Sequence, residues 1–222
     1  SYQPIEKLDY QHRSLKTLST LENYEVEKLK YRVEKLPAMI YVESDDPDGL
    51  NGINQVKVSK AQQARMKIIK PYRDEMENKY QWCIAAVPGE KWAKKVFPND
   101  SKKVAVEKLW NAILYTSRAD GENPVDAWND HNEDLHKRCA YLNSLGIKEL
   151  KYKSSNGTDF TVGLLKNVKF LAGSEDTLSG VTYNPNIPSE EVFTSPDKNT
   201  ANGKVVATKP LSYRGQLIEN FS

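Results

Sequence analysis

The sequence predicts an α/β protein, and three observations carry the prediction. Helix-like and strand-like runs alternate through the first half of the 222 residues, the pattern of an α/β layer. Near residue 145 the texture changes to short alternating or β-branched runs. Clusters of Gly, Asn, Ser and Pro then separate those runs, as turns separate strands. The expected organisation is an N-terminal α/β domain with several helices over 1–145 and a β-rich domain over 146–222.

The elements follow in order. From Ile5 to Leu36 charged and apolar residues alternate at helical spacing, with Leu15, Leu18, Leu29, Val33 and Leu36 as expected core contacts and Pro37 as the stop. Ala38–Val42 is an apolar, partly β-branched strand, stopped by the turn formers Ser44–Gly49. A helix is expected from Asn54 to Tyr72, then a strand over Tyr80–Val87 that ends at Pro88-Gly89. Ser101 can cap a helix whose apolar positions include Val104, Leu109, Ile113 and Leu114, flanked by Trp110. Asn123-Pro124 starts the next, since Pro suits a first turn. Its stripe Val125, Trp128, Asn132, Leu135, Cys139 and Leu142 has Asn132 as the single polar member, and Gly146 ends it. Strands are expected at 149–153, 159–164, 168–171, 191–194, 205–208 and 217–221.

Composition excludes several classes. Mean hydropathy is −0.70, and no run approaches the roughly 20 apolar residues of a spanning helix. A chain of this length can bury about 70% of its unfolded surface, so a true core is available. With 32 Lys plus Arg against 30 Asp plus Glu, the net charge is +2, which supplies no global field for nucleic acid or anionic lipid. Neither nucleic acid nor membrane is therefore an expected partner. Cys83 and Cys139 are too few for a disulfide framework and suit a reduced, cytoplasmic setting. The chain opens at Ser1 and closes on a strand-like stretch, which suggests a fragment.

Several constellations dissolve on inspection. His131 and His136 lie five apart, about 140° around a helix, whereas two helical metal ligands need i, i+4 spacing. They read as a solvated face. Asp45–Gly49 lacks the ligand frame of a calcium loop and reads as a turn. Lys57, Lys60, Arg65, Lys67, Lys70 and Arg73 form a basic run without an intervening acid; it could grip phosphates, but the interspersed apolar residues favour a helix with a wet cationic face. No glycine-rich nucleotide motif, nucleophile elbow or exposed cysteine nucleophile is present. One segment stands apart: Asn184–Asp197 places Glu190 and Glu191 between prolines and a short strand. Adjacent strand residues point to opposite faces, so one carboxylate should turn inward or into a cleft, and a buried carboxylate needs a cation, an Arg or a metal. The residues alone leave open whether the pair binds a metal or substrate or is a surface acid pair.

At this segment the sequence resembles the metal-dependent aminopeptidases of the aminopeptidase T, aminopeptidase S and PepS family. The shared stretches are Trp92–Pro98, Leu109–Ile113, Asp120–Trp128, Gly157–Leu164, Asn186–Thr194 and Lys209–Gly215. The resemblance implies removal of N-terminal residues from peptides by water activated at two divalent metals per full-length subunit (cobalt, zinc or magnesium), in a homodimer. It carries a metal-ligand role to Glu191, with Glu190 as the fallback, and makes residues 146–222 the start of the metal-binding domain. Ser189 replaces the family's usual Thr, and Asp197 receives no metal role.

The resemblance also implies an upstream first strand and helix and further ligands, including histidines, beyond Ser222. Here the three histidines, His12, His131 and His136, all fall in the helical half. The chain alone is therefore expected to hold no metal and to be inactive. The competing reading is a non-catalytic binding or oligomerisation module of the same fold.

Overall fold

The computed structural model describes residues 5–44, 46–209, 211–213 and 216–218. Over 5–36 the expected single helix is three: α1 (Lys7–His12), α2 (Leu15–Leu18) and α3 (Asn23–Lys35). Local capping causes the breaks. The Ser14 side chain accepts a hydrogen bond from the Thr17 amide at 3.1 Å and starts α2 afresh, while Glu22 and Glu25 form a capping box at the head of α3. Leu18 is buried as expected, but Leu15 is exposed, and Leu36 ends α3 in the left-handed region at φ 45°.

Strand β1 (Met39–Glu43) follows, then α4 (Gln55–Met76), which starts at the Asn54 cap and runs through Pro71, four residues past the expected end. Burial of Met76 rewards the extra turn. Helices α2 and α3 lie on α4, and Tyr10, Leu18, Ile53, Val58 and Ala61 form the cluster between them. The basic run on α4 is not wholly a wet face. Lys57 donates to the Tyr10 carbonyl, and Arg65 donates to the Thr20 carbonyl and pairs with Glu25, both side chains being largely buried. Two of the cations thus fasten the N-terminal helices.

Strand β2 (Trp82–Ala86) pairs parallel to β1, with Met39 opposite Trp82 and Glu43 opposite Ala86. Helix α5 (Glu90–Val96), absent from the sequence reading, comes next. Its Ala93 is fully buried against Ala105, Leu109 and Ile113 of α6 (Lys102–Thr116). Lys91 and Lys95 of α5 take Asp46 and Asp48 at 2.8 Å each, so the acids of the Asp-Pro-Asp turn are spent on lysines. Ser101 caps α6 as expected, although the buried face is Ala105, Leu109 and Ile113 and Val104 faces solvent.

Helix α7 (Pro124–Ser144) starts at Asn123 and gives way to Gly146, at φ 59°. Trp128, Leu135 and Cys139 are buried on its inner face, while Val125 is exposed. The remaining strands are β3 (Glu149–Lys153), β4 (Asp159–Gly163), β5 (Glu175–Asp176), β6 (Thr182–Tyr183), β7 (Asn186–Ile187), β8 (Asn202–Lys204), β9 (Leu211–Tyr213) and β10 (Gln216–Ile218). Strands β3, β4 and β8 make one antiparallel sheet, and β5–β6 and β9–β10 are two-stranded pairs.

Strand β7 instead joins the first sheet, parallel to β2, giving the order β1-β2-β7. The expected strands at 168–171 and 191–194 reduce to one bridge, in which Leu171 and Phe193 exchange two 2.9 Å hydrogen bonds. The strand expected over 205–208 lies earlier, at β8. Of the run 217–221, residues 219–221 fall outside the described residues, as do Pro210, Arg214 and Gly215. Among the described residues β1 is an edge strand, and its Ile40 and Val42 are 74% and 60% exposed. No described helix is long and apolar enough to cross a membrane.

Tyr183 on β6 reaches across the fold. Its ring lies 6.3 Å from that of Trp82 on β2, and its hydroxyl donates to Glu175 at 3.0 Å. Burial, with the adjacent Glu175 carboxylate, pushes the phenol up to about 12. Folding thus favours the protonated phenol, so its contribution is complete below pH 10.0, the ordinary value, and fades as pH rises to about 12. Thermal melts across that window should show the wild type losing stability faster than Tyr183→Phe; parallel curves would contradict this account.

Candidate functional site

The segment that follows β7 runs along the middle of α7, meeting His131, Leu135 and Cys139. The Ile187–Pro188 peptide is cis. Ser189 is half-buried, and its carbonyl lies 2.7 Å from Nε2 of His131. A carbonyl only accepts, so Nε2 carries the proton and donates. The His131 side chain is 8% exposed, which corrects the solvated-face reading. His131 stands one turn after Trp128 on α7, so it shares the inward stripe, whereas His136 is exposed and meets the Ser174 carbonyl at 3.2 Å.

Glu190 turns towards α6. Its carboxylate accepts from Nη1 of Arg118, just beyond the end of that helix, and the same oxygen lies 3.8 Å from Nε2 of His131. The Arg118 hydrogen bond, opposed by desolvation, holds the Glu190 carboxyl below the usual carboxylate range. Trp128 underlies the arrangement. Its ring meets His131 edge-on at 5.5 Å, the Arg118 guanidinium lies 5.9 Å from its centroid, and its indole N–H donates to the Ser117 carbonyl at 2.7 Å.

Glu191 comes next and is exposed. It has no hydrogen-bond or ion-pair partner among the described residues. Beyond it, Val192 packs on Leu135, Cys139 and Ala172, and the Thr194 hydroxyl donates to the Lys169 carbonyl at 3.0 Å. The expectation that one acid of the pair points inward or into a cleft is not met, because a surface guanidinium, not burial, engages Glu190. Both carboxylates reach the surface, but only Glu190 has a cation.

A neighbouring turn is built around glycine. Gly173 adopts φ 70°, and a Cβ there would stand 2.9 Å from Oδ1 of Asn132, an oxygen that is buried without a partner among the described residues. Gly173→Ala should therefore cost about 1–2 kcal/mol from the left-handed backbone alone, read as a lowered denaturant midpoint. An unchanged midpoint would remove the steric argument.

No group of three His, Cys, Asp or Glu side chains among the described residues could hold a metal ion. A lone carboxylate does not make a two-metal centre. Glu191 does fit one ligand of such a centre, being a hard oxygen donor, solvent-facing and uncommitted to any cation. Arg118 and Trp128 were not read from sequence as site residues. Arg118 is 72 positions from its partner and carries no local motif, while Trp128 reads as core on the α7 stripe and closes a stretch shared with the family.

A solved structure, wild-type AmpT from Thermus thermophilus, superimposes on 96% of this chain with a TM-score of 0.81 and 32% identity, covering 52% of that chain. The likeness defines the class, an α/β fold shared with AmpT. Sequence is more specific. A family model described as thermophilic metalloprotease (M29) matches residues 1–222, and the chain belongs to that family. Aminopeptidase PepS of Streptococcus thermophilus is 37% identical over 98% of this chain and 53% of its own length. Aminopeptidase T of Thermus aquaticus is 39% identical over 83% of this chain and 45% of its own. The chain spans about half the length of these relatives.

Proposed function

We propose that this chain contributes the N-terminal α/β layer and one metal ligand, Glu191, to a metal-dependent aminopeptidase. The reading is supported by family membership, by relatives named as aminopeptidases, and by one observation at the site. Of the two adjacent acids, Glu190 is taken by Arg118 and Glu191 is left free. In this reading the remaining ligands come from polypeptide outside the 222 residues, and the substrates are peptides with a free N-terminus. The divalent metals, two per complete subunit, would polarise the scissile carbonyl and lower the pKa of a bound water. The chain's own part is to present the Glu191 carboxylate to solvent, between Glu190, which Arg118 holds, and Val192, which packs on Leu135 and Cys139 of α7. Two free cysteines, Cys83 and Cys139, support a reducing, cytoplasmic compartment.

The test is hydrolysis of amino-acid p-nitroanilides by the polypeptide that carries this chain with its remaining ligands, after chelation and after return of cobalt or zinc. Turnover should vanish on chelation and return with metal, and the 222-residue chain alone should show none. Turnover that survives chelation would overturn the proposal.

A further inference from the structure

The two acids are treated differently because of Arg118, just beyond α6, and of Trp128 and His131 on α7. Arg118 adopts φ 54°, a left-handed conformation that a non-glycine residue holds at a cost and that is often found at functional sites. That backbone follows directly on Ser117, whose carbonyl receives the Trp128 indole N–H. The guanidinium is thus held over the indole face and donates to Glu190. His131 is packed on the edge of the same indole and donates to the carbonyl immediately before Glu190. On the other side Val192 is fixed in the core. Each residue flanking Glu191 is therefore tied down, and Glu191 is not.

We infer that Arg118, Trp128 and His131 form a clamp that commits Glu190 and thereby presents Glu191, making them positioning residues for the metal ligand rather than ligands themselves. The inference rests on the proposed ligand role of Glu191. It assigns a function to the first acid of the pair: Glu190 is the handle by which Arg118 and α7 hold the segment after β7, and its charge is paired with the guanidinium. Removing the guanidinium would leave Glu190 as a second free carboxylate beside Glu191. That would both loosen the ligand and offer a competing one.

The test uses the full-length protein as wild type, Arg118→Met, Arg118→Lys, Glu190→Gln and Glu191→Gln. Metal-free protein is titrated with cobalt(II) and followed by visible absorption, and carboxylates are labelled with carbodiimide and an amine and read by peptide mass spectrometry. Arg118→Met should weaken cobalt binding 10- to 100-fold, the range for loss of a ligand-orienting partner, shift the absorption bands, and open Glu190 to labelling. Arg118→Lys should recover part of the affinity. Glu190→Gln, which frees no second carboxylate and keeps an oxygen that can accept from Arg118, should weaken cobalt binding by less, about three- to tenfold, through loss of the charge-assisted hydrogen bond, and the Arg118→Met/Glu190→Gln double variant should be no weaker than Arg118→Met.

Cobalt affinity within twofold of wild type in both Arg118→Met and Glu190→Gln, with unchanged bands, would overturn the clamp. So would unchanged Glu190 labelling in Arg118→Met. If Arg118→Met fails to fold, Glu190→Gln, which preserves shape, decides the matter alone. The underlying ligand assignment fails separately: Glu191→Gln binding cobalt like wild type overturns that reading whatever Arg118 does.

Discussion

Replacing Glu191 with glutamine is expected to lower the proposed metal-dependent peptide hydrolysis by the full-length protein about a thousandfold, equivalent to about 4 kcal/mol of barrier. Glutamine keeps the length and shape of the side chain and removes the charge that a divalent cation needs. Because Glu191 is exposed and unpaired, the substitution takes no contact from the fold. Its melting temperature should stay within about a degree of wild type, as for surface changes generally. Activity and stability are then separated in one variant. Glu190→Gln should show a smaller loss of activity, since its effect passes through the clamp. A Glu191→Gln protein that retains more than a tenth of wild-type activity would sink the ligand role, and a larger loss in Glu190→Gln would move that role to Glu190.

Trp128→Ala carries the largest expected cost in stability, about 3–5 kcal/mol for deletion of a buried indole. Trp128 is 8% exposed and joins the end of α6, through the Ser117 carbonyl, to the His131 and Arg118 side chains. In a domain of this size that cost corresponds to a fall in melting temperature of roughly 10 °C. Trp128→Phe isolates the hydrogen bond. It keeps an aromatic ring but leaves the buried Ser117 carbonyl without its donor, at about 1–3 kcal/mol. Thermal denaturation followed by circular dichroism reads both. A Trp128→Ala protein that melts within about 3 °C of wild type would show that α6 and α7 are held elsewhere.

Much of the helical half is legible in sequence because its signals are local. Ser101 marks the start of α6, and Asn123-Pro124 and Gly146 mark the start and end of α7, because capping needs only neighbouring residues. The N-terminal run reads as one helix because its periodicity is continuous, while the caps at Ser14 and Glu22 that divide it are weaker signals. Two-residue strands are harder. Asn186–Ile187 has no alternation of its own and becomes strand β7 only because β2 offers a free edge, a tertiary cause that no window of sequence contains. The site divides in the same way. The adjacent acids stand out between prolines, and strand geometry explains why they should differ. Which of them is engaged depends on Arg118, a residue made relevant by the turn between α6 and α7 rather than by its neighbours.

The outer strip of β1 should govern how this chain behaves in concentrated solution. Ile40 and Val42 lie side by side on a strand whose edge is free among the described residues. Parallel sheets usually bury both faces, and an apolar edge is a template for another strand. A net charge of +2 offers little colloidal repulsion to oppose contact. Self-association of the isolated chain should therefore begin at this strip, driven by the same apolar residues that give β1 its strand character, and a lysine at position 40 would be the smallest change that interrupts it.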